Sequence, residues 1–259
     1  MGLPISVYMI TYNNAPTVGK ALESVAGWAG EVVVVDSESP DGTSDVARGY
    51  TDKVYQLNTT NMAEKYQYAQ DRCSSLWVLF IDADEWLTAE IKAEMEQVVA
   101  HGSACDGYLV NRRNVYLGRE IRFGGWYPDR EIRLYRKEKG RWEGGIHAKV
   151  RVDGTVGELK GHYMHTPYAD IAHQIRTVDR YSGAFAEDLA SSGRSFHLIN
   201  MIGRPLWRFV RDYILKLGFL DGVPGLIIVA STMYYVFMKH ARLWELERME
   251  RHGPKEKEA

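Results

Sequence analysis

The stretch Trp77-Val78-Leu79-Phe80-Ile81-Asp82-Ala83-Asp84-Glu85 joins five apolar residues directly to three carboxylates. The apolar part is typical of a buried β-strand. An unpaired charge is very costly inside a core, so the carboxylates are expected beyond the carboxyl end of that strand. A divalent cation suits this position, because it takes oxygen ligands and often shares them with substrate phosphates. In open α/β sheets, ligands bind in the crevice beyond these strand ends.

A helix start is the alternative interpretation of the same carboxylates. Asp and Glu favour the first turn of a helix, and a helical pattern begins near Thr88. The stretch from Glu31 to Asp36 favours the first interpretation, since there too a run of valines ends in a carboxylate. The two acidic ends are then expected at one edge of one sheet.

Strand and helix patterns alternate through the first hundred residues. Strands are predicted at 5–11, 31–36, 53–57 and 76–81, and helices at 16–28, 44–49, 61–75 and 89–101. This alternation predicts right-handed βαβ units and a mostly parallel sheet flanked by helices. Two further strands are predicted at 106–113 and 131–136.

Composition limits the class of protein. The 259 residues can form one domain, or one domain with an appendage, and the net charge of -2 does not suggest a nucleic-acid partner. Cys73 and Cys105 show neither metal-site spacing nor a disulfide framework, which favours a reducing compartment. The first residues lead directly into a strand, so no cleavable signal peptide is expected.

Three motifs together resemble glycosyltransferase family 2. They are Ser6 to Asn13, Val33 to Ser37 with the turn Ser39 to Thr43, and Asp82 to Glu85. The resemblance implies the GT-A nucleotide-diphospho-sugar fold and a UDP-sugar donor. One departure is Asn14, where many relatives have Glu.

The resemblance also implies site residues and a cofactor. Thr11 and Tyr12 would border the uracil pocket, Asp36 would bind the base, and Lys65 would approach the diphosphate. Asp84 would bind Mg²⁺ or Mn²⁺, Asp82 would touch the ribose or the water shell of the metal, and a late histidine, His165, would complete the metal site. The donor-binding positions are Thr11, Tyr12, Asn13, Asp36, Asp41, Lys65, Asp82, Ala83 and Asp84.

The segments from Tyr116 to Glu120 and from Phe123 to Arg136 resemble a narrower group. This group contains bacterial lipopolysaccharide inner-core transferases that add β-1,4-glucose to a heptose. The resemblance covers essentially the whole chain. It implies a UDP-glucose donor, a lipid-anchored glycan acceptor and a peripheral position on the cytoplasmic face of the bacterial inner membrane.

The catalytic base is the least settled part of the site. Inversion requires a carboxylate that takes the acceptor proton. Relatives have a His-Glu pair where this chain has His147 and Ala148. Asp129 is then the base, or the chain is naturally inactive, or Ala148 is an engineered replacement; we prefer the third explanation to the first. His147 would position the acceptor or the base. Alternatively, Asp129 only stabilises a turn by pairing with Arg130 or Arg133.

The C-terminal third predicts helices. One runs from Thr166-Pro167 to Gly193, and 204–220 forms an amphipathic helix with basic and aromatic residues, suited to an anionic membrane surface. Residues 222–238 are uncharged but contain Pro224-Gly225, so we expect an in-plane or re-entrant hairpin rather than a spanning helix. The alternative is a soluble helical pair that covers the core or a dimer interface.

The predicted domains are a GT-A catalytic domain at 1–165, membrane-associating helices at 166–252 and a disordered tail at 253–259. Two other functions are considered. A nucleotidyltransferase would share the sheet and the acidic metal site, but it usually begins with a Gly-rich basic loop, which Thr11 to Asn14 lacks. A non-catalytic nucleotide-sugar-binding protein is supported by Ala148 alone. A homo-oligomer remains possible.

Overall fold

The computed structural model describes residues 2–145 and 148–252. The chain divides into two compact units. The first contains residues up to Arg113 and Pro128–Thr166, and the second contains Asn114–Tyr127 and the chain from Pro167. The inclusion of Asn114–Tyr127 in the second unit was not indicated by the sequence.

The first unit contains a mixed sheet with helices on both faces. Its strands are β1 (Leu3–Thr11), β2 (Ala29–Asp36), β3 (Val54–Gln56), β4 (Trp77–Phe80), β5 (Glu85–Leu87), β6 (Gly107–Tyr116, which runs on into the second unit), β8 (Arg130–Arg136), β9 (Gly140–Glu143), β10 (Lys149–Val152) and β11 (Val156–His165). Its helices are α1 (Ala15–Val25), α2 (Thr43–Arg48), α3 (Met62–Asp71) and α4 (Ala89–His101), with a short 3₁₀ turn at Lys137–Lys139.

The strand order is β3-β2-β1-β4-β8-β6-β11-β5, and β9 and β10 form a separate antiparallel pair. The pairs among β3, β2, β1 and β4 are parallel. The strand β8 runs antiparallel to both β4 and β6. The parallel half agrees with the predicted βαβ pattern, and the predicted α/β class is confirmed.

Alternation along β1 explains how helices cover both faces of the sheet. Val7 and Met9 pack with Leu22 of α1, whereas Tyr8 and Ile10 pack with Ala69 of α3. Successive side chains of a strand point to opposite faces, so a strand buried on both faces has a continuous apolar run. This explains why the strands that lead to the site lack a polar face.

The carboxylates after β4 do not begin a helix. Glu85 begins β5, and α4 begins only at Ala89, where the preceding Thr88 side chain caps it by accepting a 3.4 Å hydrogen bond from Ile91 N–H. The acidic turn therefore connects two strands.

The second unit contains β7 (Arg119–Ile121), α5 (Ile171–Ser191), α6 (Leu198–Phe209) and α7 (Gly222–His252). Residues of α5 and α6 pack along α7. The predicted start of α5 at Thr166-Pro167 is too early, because Asp170 caps the helix by accepting a 2.6 Å hydrogen bond from His173 N–H.

Two predictions for the second unit are wrong. The expected amphipathic helix at 204–220 is divided into the end of α6, a π-helical turn at Val210–Leu215 and a 3₁₀ turn at Gly218–Asp221. The expected hairpin at Pro224-Gly225 is absent from the described residues. Pro224 lies instead in the first turn of α7, where a backbone N–H has no partner within the helix. The tail at 253–259 lies outside the described residues.

Candidate active site

Asp36 anchors the loops at the edge where the parallel strands end. It lies opposite Thr11 in the β1–β2 register, and its buried carboxylate accepts hydrogen bonds from Thr11 Oγ1 at 2.7 Å and from Ser39 N–H at 2.8 Å. Burial alone would raise the pKa of Asp36, but the hydrogen bonds from Ser39 and Thr11 outweigh it and lower the pKa. The predicted contact of Asp36 with the base of the donor stays a prediction.

The loop after β1 is fixed by side chains of the next loop along the sheet edge. Asn13 has a positive φ of 57°, and its N–H donates to Ser39 Oγ at 2.9 Å. Asp41 accepts from Ala15 N–H and Thr43 N–H, both at 3.0 Å, so it holds the starts of α1 and α2 together. Tyr12 is 55% exposed and can face a ligand.

Lys65 lies in the first part of α3 and is buried. Burial lowers the pKa of its ammonium group, while the nearby negative charge of Asp36 acts in the opposite direction. A buried cation close to Asp36 agrees with the expected approach to an anionic ligand, which stays a prediction.

Asp84 and His165, the two residues that the resemblance implies as metal ligands, lie together at the acidic turn; their binding of a metal stays a prediction. Asp84 Oδ2 lies 3.3 Å from His165 Nε2, and Asp84 C=O accepts Thr166 N–H at 3.1 Å. Burial raises the pKa of Asp84, but the hydrogen bond from His165 outweighs it and lowers the pKa. Ala83 packs into the core, so only its backbone can take part in the site.

These donors fit a divalent cation that also binds substrate. Within residues 2–145 and 148–252, no group of three or more His, Cys, Asp or Glu side chains could hold a metal by itself. Mg²⁺ is commonly bound by one or two carboxylates together with substrate phosphates, and carboxylate oxygens also suit Mn²⁺. Asp84, with His165 beside it, could therefore hold such an ion once a diphosphate supplies further oxygens.

A buried ion cluster lies beneath the acidic turn, and the sequence did not reveal it. Glu85 has no exposed surface, and its Oε1 accepts hydrogen bonds from Arg133 at 3.0 Å and from Arg112 at 3.2 Å. Arg133, 1% exposed, also donates to Glu131 at 2.6 Å and to the Tyr163 hydroxyl at 3.0 Å. The only signal in the sequence was that two charged residues, Glu131 and Arg133, lie two positions apart in β8.

Asp82 has an unusual electrostatic environment. Its side chain keeps some exposed surface, but its carboxylate is largely enclosed by protein and lies 3.4 Å from Arg133. Burial, together with the negative charge of Glu85, raises the pKa of Asp82 to about 7, although Arg133 opposes this. The nearby arginines therefore do not fully compensate the carboxylates of the turn.

A cavity of about 530 Å³ lies beside this cluster. Asp82, Asp129, Glu131 and Ala148 contribute to its wall, so the structure brings three of the predicted site residues together. Tyr66 and Trp142 also contribute, and their rings stack with centroids 4.0 Å apart. A wall with both aromatic faces and carboxylates can hold a sugar.

Asp129 has a different partner from the one suggested by its turn. It pairs with Arg112, at 2.8 Å from Nε and 2.7 Å from the terminal nitrogen, rather than with Arg130 or Arg133. His147, the other residue of the predicted base motif, lies outside the described residues.

Glu85 is expected to hold the site together. Replacing Glu85 with Ala leaves Arg112 and Arg133 short of a buried counter-charge, so we expect a loss of about 3–5 kcal/mol in the free energy of unfolding. Urea denaturation measures this. As a control, Asp45→Ala removes an exposed partner of Arg48 and should leave that free energy nearly unchanged. Equal stability of the two variants would contradict a structural role for Glu85.

Several known proteins resemble this chain in sequence. The sequence model of Glycosyl transferase family 2 matches residues 6–151. Lipopolysaccharide core biosynthesis glycosyltransferase LpsC of Rhizobium meliloti is 28% identical over 256 residues, covering 94% of this chain and 93% of the relative. An uncharacterised glycosyltransferase of Rickettsia typhi is also 28% identical, over 255 residues, covering 93% of this chain and 87% of the relative.

Among solved structures, TarS 1-349 of S. aureus is 19% identical with a TM-score of 0.48, covering 99% of this chain and 93% of the other. Mannosyltransferase PcManGT of Pyrobaculum calidifontis, in complex with GDP-Man and Mn²⁺, is 12% identical with a TM-score of 0.47, covering 94% and 88%. On the match to more than half of its length, this chain belongs to glycosyl transferase family 2 and has its GT-A fold.

Proposed function

We propose that this chain is an inverting, metal-dependent hexosyltransferase that moves glucose from UDP-glucose to a lipid-anchored glycan of the lipopolysaccharide inner core. The observation that carries the proposal is the pairing of Asp84 with His165 at the end of β4 and β11, in a chain that belongs to family 2. The name of LpsC supports the class of acceptor. Family membership leaves the nucleotidyltransferase alternative without support.

The donor would lie along the edge formed by β1, β2 and β4. Tyr12 is exposed for contact with the base, and Lys65 supplies a buried positive charge near Asp36. A bound Mg²⁺ or Mn²⁺ would neutralise negative charge that develops on the leaving diphosphate. Asp84 and His165 are the residues that would hold it, and Asp82 would lie in reach of its water shell or of the ribose.

The residue at the position of the catalytic base differs in this chain from the pattern of the family, because Ala148 stands where a Glu is expected. The carboxylate of Asp129 lies on the wall of the cavity, but Arg112 contacts its Oδ2 with two nitrogens, at 2.8 and 2.7 Å, so this oxygen is already engaged by the wall. Ala148 lies on the wall of the same cavity and has no group that takes a proton. We therefore assign the position of the base to residue 148 and expect slow transfer by the chain as it stands.

For the second unit, we propose that it binds peripherally to the cytoplasmic face of the membrane. The helical segment Gly218–Arg251, which includes most of α7, is long and apolar enough to cross a membrane, by length and composition alone. However, α5 packs along α7 and has charged residues such as Arg176, Arg180 and Glu187, which would enter the hydrocarbon with it. Exposed apolar residues on α6 and the following turns, including Ile199 at 77% and Leu215 at 63%, instead suit binding in the plane of the interface.

The metal prediction concerns Asp84. UDP binding is expected to be strengthened by Mn²⁺ or Mg²⁺, and Asp84→Ala should abolish that enhancement, because it removes the oxygen ligand of the ion. Calorimetry with UDP, in the presence and absence of Mn²⁺, measures it. Asp52→Ala removes an exposed carboxylate elsewhere in the first unit and should keep the enhancement. The same metal dependence in Asp84→Ala and in the unmodified chain would remove Asp84 from the site.

The base prediction compares two substitutions. A general base is worth about 10²–10⁴-fold in rate, so Ala148→Glu should raise turnover by that order with little change in donor affinity. Release of UDP, measured with and without acceptor, reports both turnover and background hydrolysis. If the unmodified chain is already fully active and Asp129→Asn abolishes its activity, Asp129 is the base. If neither form transfers sugar while both bind UDP, the chain is a nucleotide-sugar-binding protein.

The membrane prediction concerns the exposed apolar residues of the second unit. Ile199→Glu and Leu215→Glu should each weaken binding to anionic vesicles by about tenfold or more, because burying an apolar side chain is worth about 1.5–3 kcal/mol. Vesicle flotation measures this, and high salt should also weaken binding. Leu76→Glu adds the same charge at an exposed apolar position of the first unit and should have a much smaller effect. Equal loss in all three variants would indicate that charge alone is responsible.

A further inference from the structure

A second cavity, of about 240 Å³, lies within the second unit and is not explained by sugar transfer. We call it the basic cavity. The residues of its wall that matter here are Gly125, Trp126, Arg208, Arg211, Lys216 and Thr232, with Asp212 between the cations.

Positive charge exceeds negative charge on this wall. Among the described residues of the wall, Asp212 is the single carboxylate beside three cations. It accepts hydrogen bonds from Arg211 at 2.6 and 2.8 Å and from Arg208 at 3.4 Å, and Lys216 Nζ lies 4.0 Å from it. One carboxylate cannot neutralise three cations, so two positive charges remain. An anion is the ligand that this wall can complement.

The residues that surround the basic cavity in the sequence add further positive charge. From Arg194 to Arg242 the chain has seven Arg and Lys residues but only two Asp and no Glu, whereas the whole chain has a net charge of -2. Burial lowers the pKa of Lys239, and the positive charges of Arg204, Arg208 and Arg194 lower it further.

The loop at 122–125 forms one wall of the basic cavity and is held in place through hydrogen bonds from its backbone N–H groups. The buried carboxylate of Asp221 accepts the N–H groups of Arg122 at 3.2 Å and Phe123 at 2.9 Å, and Gly124 N–H donates to Lys216 C=O at 2.9 Å. Gly125 has a φ of 84°, and a Cβ there would lie 2.5 Å from Lys216 Nζ. Glycine therefore lets the backbone of this loop approach the ammonium group of Lys216.

Apolar residues alternate with the cations of the basic cavity along the chain. Trp207 is 56% exposed, Ile214 48% and Leu215 63%, and they flank Arg208, Arg211 and Lys216 in sequence. Arginine forks match phosphate oxygens, and the exposed apolar neighbours suit the acyl region of a lipid. We propose that the basic cavity binds the phosphodiester of a membrane lipid headgroup. This rests on the proposed peripheral membrane attachment.

The test compares vesicles of equal surface charge. One set contains phosphatidylglycerol, a phosphodiester, and the other contains cholesteryl hemisuccinate, a carboxylate. We expect Lys216→Gln in the full chain to weaken binding to phosphatidylglycerol vesicles by about tenfold, the effect of one charge-assisted contact. Arg176→Gln removes an equal charge from an exposed position on α5 and should change binding by less than about threefold. On hemisuccinate vesicles, the two variants should behave alike.

A charge-neutral variant separates a site from a diffuse field. Thr232→Phe fills the basic cavity and should weaken binding to phosphatidylglycerol vesicles as Lys216→Gln does, with thermal unfolding as the check on folding. If Thr232→Phe does not fold, Arg211→Gln replaces it, with Arg176→Gln as the control of equal charge, and should show the larger loss on the phosphodiester vesicles only.

Equal losses in Lys216→Gln and Arg176→Gln on both vesicle types would overturn the proposal and leave membrane attachment intact. Failure of the unmodified chain to bind either vesicle would overturn both proposals. Calorimetry with inorganic phosphate is the last measurement. If phosphate binds as tightly as the vesicles do, and this binding is lost in Lys216→Gln, the basic cavity binds a soluble phosphate and the lipid proposal is overturned.

Discussion

The buried carboxylate of Glu85, shared by Arg112 and Arg133, is the constraint on which the candidate active site depends. It joins the start of β5 to β6 and β8, and its second oxygen accepts Asp82 N–H at 2.9 Å. A charged group without exposed surface is stable only when its partners are complete. The acidic turn therefore keeps one conformation because Glu85 is held from two strands and in turn holds the backbone of Asp82.

The charges around this contact do not balance. Arg112 and Arg133 face four carboxylates, those of Glu85, Asp82, Glu131 and Asp129. The result is visible at Asp82, where burial and Glu85 raise the pKa to about 7 despite Arg133. A surplus of carboxylate beside a cavity favours the binding of a cation there.

Local patterns predicted most of the first unit, because the apolar runs and the Thr88 cap act within a few residues. Even the long-range meeting of Asp84 with His165 was predicted, from the family resemblance. The arginines of the cluster were not, because no local pattern distinguishes a buried Arg133 from an exposed one. The prediction of a hairpin at Pro224-Gly225 was wrong because proline breaks the interior of a helix but suits its first turn, and the sequence did not show that α7 begins at Gly222.

Arg112 connects this structural cluster to the chemistry proposed for the cavity. On one side it contacts the buried Glu85, and on the other it holds Asp129. The same contact that orients Asp129 also occupies its Oδ2, so this oxygen is engaged by Arg112 and not by an acceptor hydroxyl. Ala148 lies on the wall of the same cavity, so a carboxylate at this position would face the space that Asp129 also borders. For this reason we propose the base of the family's reaction at 148 and treat Asp129 as a part of the wall that Arg112 holds in place.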